Sequence, residues 1–190
     1  MGHKQTMKIL AIIPAKLDST RLEKKNIQLI NGKTLVEHSI DYALASKHDI
    51  SVIISSESLE VKNSFWGKYS NKVMFSHRNE SLCGDVEVVD VYLNVVRSLK
   101  NHTYDLVVGL QPDNPNRSHT LDECIDYMVE NKYDDLITIN PNYKRSGSVR
   151  IFKYNYLYSG KVSKRLGCIK DSAIDIHYQE DLELAKQKFK

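Results

Sequence analysis

The chain is predicted to be a three-layer α/β protein with a mainly parallel sheet, and three observations lead there. Short, branched apolar runs alternate five times with segments of helical periodicity, the pattern of helices crossing between parallel strands. The runs 9–13 and 106–110 are nearly all apolar rather than alternating, as strands covered on both faces require. With 190 residues, 41% of them apolar and 27% charged, the chain can bury one good core and is short for two. Residues 7–190 are therefore read as one domain.

Residues 9–13 form the first strand, and Pro14 is expected to end it because proline has no N–H for a ladder. Lys16, Arg21, Lys24 and Lys25 then cluster in a loop with Ser19, Thr20 and Asn26, offering charge and directed donors to a polyanion. In open α/β sheets ligands sit beyond the carboxyl ends of the strands, which is where this loop stands. The same composition also describes a solvated basic connection. Residues 27–30 are a short extended piece and Asn31-Gly32 signals a turn. Leu35, Val36, Ile40, Ala43 and Leu44 share one face of a helix over 34–46. Residues 50–54 are the second strand, 58–69 a helix with Trp66 in its packing, and 73–76 the third strand. Asp85 reads as the N-cap of a helix whose apolar face holds Val88, Val89, Leu93 and Val96.

Residues 106–110 make the fourth strand, which ends in Gln111-Pro112-Asp113-Asn114-Pro115-Asn116-Arg117. A carboxylate at the tip of a central strand facing a basic loop is where a magnesium nucleotide would be held, although Pro-Asp-Asn-Pro is equally a structural turn. A helix over 121–129, capped by Ser118 or Thr120, precedes a strand over 136–139 and another over 149–153. Tyr143, Tyr154, Tyr156 and Tyr158 could line a ligand or simply face water. Asp175 and His177 share a face of a last extended strand, because alternate residues point to one side. A closing helix begins near Glu180 and Asp181.

A net charge of +3 argues against a general nucleic-acid binder and leaves the basic character local to the first loop. Cys83, Cys124 and Cys168 are far apart, without paired metal spacing, and fit a reducing cytosol. No apolar run approaches the roughly 20 residues that cross a bilayer, so a soluble, cytoplasmic protein is expected. Residues 1–6 are polar and precede Met7, and read as a flexible lead or cloning remnant.

Several of these stretches resemble the sugar-activating cytidylyltransferases, in their acylneuraminate and KDO branches. Pro14-Ala15-Lys16-x-x-Ser19-Thr20-Arg21-Leu22-x-x-Lys25-Asn26 is similar to the family's Pro-Ala-Arg-x-x-Ser-x-Arg-Leu-Pro-x-Lys, with Lys16 replacing an arginine and Glu23 a proline. Lysine keeps the charge and loses the planar two-pronged donor. Arg78, Leu82, Cys83 and Asp85 match the layout of the cytosine pocket, where small residues let backbone approach the base. Residues 111–117 combine the frame of the acylneuraminate branch with the aspartate of the KDO branch, and Asp175-Ile176-His177 departs from Asp-Ile-Asp at its last position. A hard cation prefers oxygen, so that histidine could instead hold a ligand or water.

The resemblance spans residues 7–185 and implies a Rossmann-like GT-A nucleotidyltransferase fold. It implies transfer of CMP from CTP to an acidic 2-keto sugar with release of pyrophosphate, and magnesium as cofactor. Lys16, Arg21 and Lys25 would then hold the triphosphate as catalytic residues. Ser19, Asn26, Arg78, Cys83 through its backbone, Asp85 and Gln111 would bind substrates, and Asp113, Asp175 and His177 would form the metal site. A homodimer is also implied, through a shortened arm within 141–163. Two other readings stay open: a non-catalytic nucleotide- or sugar-binding relative, and CMP transfer to a phosphonate or other small acid.

Overall fold

The computed structural model describes residues 6–84, 86–100, 102–161 and 163–189; Asp85 and residues 1–5 lie outside them. A seven-stranded sheet is built from β1 (Lys8–Pro14), β4 (Asp49–Ser56), β5 (Val73–His77), β6 (Leu106–Gly109), β7 (Asp135–Ile139), β8 (Arg145–Lys153) and β9 (Leu166–Lys170). Its order is β5-β4-β1-β6-β8-β7-β9, and β8 alone runs antiparallel to its neighbours. A separate hairpin joins β2 (Leu29–Ile30) to β3 (Lys33–Thr34) through left-handed backbone at Asn31 and Gly32, the turn chemistry expected of Asn-Gly.

The helices are α1 (Leu35–Leu44), α2 (Leu59–Tyr69), α3 (Val88–Ser98), α4 (Leu121–Glu130), α5 (Tyr154–Ser159) and α6 (Gln179–Lys188). Thr34 with Glu37 and Thr120 with Glu123 form capping boxes that satisfy the first amides of α1 and α4, and the Ser58 hydroxyl caps α2. The core lies on both faces of the sheet. Ile9, Ala11 and Ile13 pack with α1, α2 and α4, whereas Leu10 and Ile12 pack with Tyr92, Val95 and Val96 of α3. A third, smaller cluster joins Leu22 of the basic loop to Ile30, Leu35, Ile176 and Leu182, so α6 ties the end of the chain to the first loop.

The layered α/β architecture is the expected one, with three corrections. β1 ends at Pro14 as expected, and the Ala15 N–H just beyond it still bonds the Ser55 carbonyl, 2.9 Å away. The helix over 88–98 starts after Glu87. α5 and β9 have no counterpart in the sequence expectation. Residues 174–177 lie in an extended connection between β9 and α6 and belong to no ladder, so Asp175 is not on a last strand. No helix among the described residues is long and apolar enough to cross a membrane.

Candidate active site

Beyond the carboxyl ends of β1, β4 and β6 lies an open cleft with a cavity volume of about 200 Å³. Lys16, Ser19, Arg21, Lys25 and Asn26 line it from the first loop, Arg78 and Cys83 from the connection after β5, and Gln111 and Asp113 from the tip of β6. Nine residues from three stretches far apart in the chain thus meet where an open α/β sheet binds ligands.

The basic loop is held from three sides. Leu22 is buried in the small third cluster. The Asn26 side chain donates to the Lys16 carbonyl at 2.7 Å, so Asn26 shapes the loop as well as lining the cleft. The Leu17 N–H donates to Glu57 Oε1 at 2.7 Å. Glu57 was not singled out by its sequence, yet it stands just past the end of β4, the same kind of position that drew attention to Asp113. Lys24 has left-handed backbone and pairs with Glu60 at 2.7 Å, leaving Lys16, Arg21 and Lys25 as the cleft's cations from this loop.

Lys25 Nζ lies 2.6 Å from Asp113 Oδ2 and 3.0 Å from the Ile176 carbonyl. The Ile176 N–H donates to the Asp113 carbonyl at 2.9 Å, and the Ile174 N–H to Asn116 Oδ1 at 2.9 Å. These bonds lay the 174–177 segment along the β6 tip and bring Asp175 near Asp113. Partial burial, and then the Asp113 carboxylate, push the Asp175 carboxyl above the usual carboxylate range. Asp113 Oδ1 is buried with no hydrogen-bond partner. An orphaned carboxylate oxygen beside a second, mutually repelling carboxylate suits a cation.

His177 does not complete a three-residue metal set. Its Nε2 lies 3.0 Å from Asp175 Oδ2, and its Nδ1 is buried. Among the described residues no group of three His, Cys, Asp or Glu side chains is arranged to hold a metal. The imidazole is thus a direct neighbour of the Asp175 carboxylate, and a cation held by Asp113 and Asp175 would need further oxygens from a ligand or water.

Arg78 is 4% exposed and its Nη2 donates to the Ser55 carbonyl at 2.7 Å, bracing β4 against β5 at the cleft wall. Burial lowers its pKa, against the opposing pull of the Glu57 charge. The Cys83 N–H donates to the Glu80 carbonyl at 3.0 Å, so the backbone group Cys83 has to offer a base is its carbonyl. Tyr143, Tyr154, Tyr156 and Tyr158 are not among the residues lining the cleft. Tyr154 instead donates to the His102 carbonyl and stacks with Tyr158.

The cytidylyltransferase family model matches residues 10–159. The chain is 32% identical over 127 residues to the CMP-N,N'-diacetyllegionaminic acid synthase of Legionella pneumophila, a match covering 65% of this chain and 53% of that protein. It is 27% identical over 134 residues to the 3-deoxy-manno-octulosonate cytidylyltransferase of Chlorobium limicola, covering 70% and 51%. The chain thus spans about half the length of the curated relatives it matches. Among solved structures, a CMP:2-keto-3-deoxy-manno-octonic acid synthetase complexed with CTP superposes with a TM-score of 0.75 at 14% identity, covering 95% of this chain and 98% of that one. A 4-diphosphocytidyl-2C-methyl-D-erythritol synthase from Anaerococcus prevotii gives 0.69 at 14% identity, covering 96% of each. A family match over most of the sheet, on a chain whose basic loop and acidic strand tip face one cleft, shows that this chain belongs to the cytidylyltransferase family.

Proposed function

We propose that the protein transfers CMP from CTP to the anomeric hydroxyl of an acidic 2-keto sugar and releases pyrophosphate. The observation that carries this reading is the single cleft in which three cations from the first loop face Asp113 at the tip of β6. Lys16, Arg21 and Lys25 would hold the triphosphate with Ser19, while Arg78 and the Cys83 carbonyl flank the base and Gln111 faces the acceptor. Asp113 and Asp175 would hold magnesium together with phosphate oxygens and water; when bound, the ion supplies charge neutralisation at the phosphates. The chain's own part is to align the acceptor oxygen with the α-phosphate and to stabilise charge as the bond to pyrophosphate breaks. Three free thiols are compatible with work in a reducing cytosol.

The test is incubation with CTP, magnesium and a panel of acidic 2-keto sugars, followed by pyrophosphate release. CTP should support release and compete far better than ATP or GTP. Equal competition by all four nucleotides would remove the base pocket, and CTP binding without turnover on any acid would favour a non-catalytic relative. Phosphonate acceptors in the same panel separate the remaining alternative.

Self-association has a candidate surface. In the register of the sheet Asp135, Phe152 and Leu166 form one row and Ile137, Arg150 and Cys168 the next. On this face Leu166 is 51% exposed, Cys168 is also exposed, and Ile137 is half-buried. We infer that a second copy covers this edge of the sheet, since β9 is an edge strand on which Leu166 and Cys168 stand open to water. Light scattering should then report a dimer that Leu166→Arg turns into a monomer; a monomeric parent protein would refute the pairing.

A further inference from the structure

One arginine behind the cleft is not accounted for by ligand contact. Arg117 does not line the cleft, yet it sits beneath the loop that carries Gln111 and Asp113. Its Nη2 donates to the Gln111 carbonyl at 2.9 Å and to Ser39 Oγ at 3.3 Å, and its Nε donates to the Ser148 carbonyl at 2.8 Å. The guanidinium lies 4.7 Å from the centre of the Tyr42 ring. One side chain therefore joins α1, the β6 tip and β8. Asp171 accepts from the Ser148 hydroxyl of the same strand and from the N–H groups of Ser118 and Ala173, tying β8 to the residue that follows Arg117.

The β8 strand completes the grip on Gln111. The Gln111 N–H donates to the Gly147 carbonyl at 3.2 Å. A Cβ at position 147 would lie within 2.6 Å of three atoms of the Gln111 side chain, so glycine there lets the amide lie flat on the strand. Gln111 is thus fixed at its carbonyl by Arg117, at its N–H by Gly147, and along its side chain by the missing Cβ. A desolvated guanidinium is an expensive means of closing a seven-residue turn when backbone and hydroxyl groups could do so. Its fork does what a neutral cap cannot: it sets the distance between β8 and the β6 tip that carries Gln111 and Asp113 into the cleft.

We propose that Arg117 is a positioning residue that sets where Gln111 and Asp113 stand, by tying the loop between them to β8 and α1. This inference rests on the proposed cytidylyl transfer for its kinetic consequence, and on the geometry alone for its structural one.

Arg117→Lys keeps the charge and removes the fork. Displacement of groups that position a reactant by about an ångström costs roughly up to 100-fold in rate, so kcat/KM for the acceptor should fall by that order. The dissociation constant of CTP measured without divalent cation should stay within about twofold, because the first loop holds the phosphates and is not touched by Arg117. In a double-mutant cycle, Arg117→Lys should add little to Gln111→Ala. A merely structural role would lower CTP affinity and turnover together and multiply with Gln111→Ala, overturning the proposal. Position is read without turnover from the side-chain amide resonances of Gln111, identified by their loss in Gln111→Ala. They should move in Arg117→Lys, and unchanged resonances would also overturn it. Ser39→Ala, which keeps the guanidinium and removes one anchor, should move them less and serves if the lysine variant does not fold. Should the parent protein turn over no acceptor, the transfer reading fails and the amide resonances alone decide the role of Arg117.

Discussion

Replacing Asp113 or Asp175 with alanine should lower magnesium-dependent turnover by about 100- to 1,000-fold, the range seen when one preorganised electrostatic partner of a transition state is removed. CTP binding without metal should survive in both variants. The reasoning is local. Asp113 has one oxygen bonded to Lys25 at 2.6 Å and the other buried without a partner, and Asp175 carries a carboxyl pushed up by burial and by Asp113. Both features are costly unless a positive group joins the site when substrates bind. Full magnesium-dependent turnover in both variants would show that the carboxylates do not act as a pair. His177→Asp should also lower turnover, because the imidazole holds Asp175 at 3.0 Å, and a rise would return that side chain to the metal shell.

Gly109→Ala should destabilise the fold by about 1 to 3 kcal/mol, the usual cost of forcing extra volume into a packed core. That corresponds to a fall in Tm of roughly 2–4 °C for each kcal/mol in a chain of this size. A Cβ at 109 would lie within 2.6 Å of the Tyr92 ring and hydroxyl. Tyr92 is 1% exposed and meets Phe152 edge to face, so the ring has nowhere to go. Tyr92→Leu in the same chain should recover part of the loss, and calorimetric scans showing additive losses would mean that the two positions do not meet.

Much of this architecture could be read from the chain because its signals are local. Apolar runs mark β1, β4 and β6, and Thr120, one of the two caps the sequence offers for α4, is the one that caps it. Of the three stretches that line the cleft, the first loop and the β6 tip stand out by residue type and by their place after strands, and the connection after β5 by its resemblance to the family. What escaped depends on partners distant in sequence. Glu57 looks like one more polar residue after a strand until the Leu17 N–H is placed against it, 40 positions away. Arg117 and Ser148 meet across 31 residues, and Gly109 has a reason only once Tyr92 is packed over it. The error over Asp175 has the same origin: an alternating Ile-Asp-Ile-His pattern suits a strand, but here the backbone partners come from the 113–116 loop rather than from a neighbouring strand.

Under the proposed function, the Lys25–Asp113 contact would link nucleotide and cation thermodynamically. In the free protein the ammonium and the carboxylate neutralise each other, with side chains only 11% and 14% exposed. Lys25 can turn toward a phosphate only by leaving Asp113 with an uncompensated charge, a poor exchange in a partly dry site. Asp113 can accept a different positive partner only if Lys25 finds another anion. Each exchange removes the penalty on the other, so under the proposed function CTP and magnesium should bind with positive cooperativity, and by reciprocity each should tighten the other by the same factor.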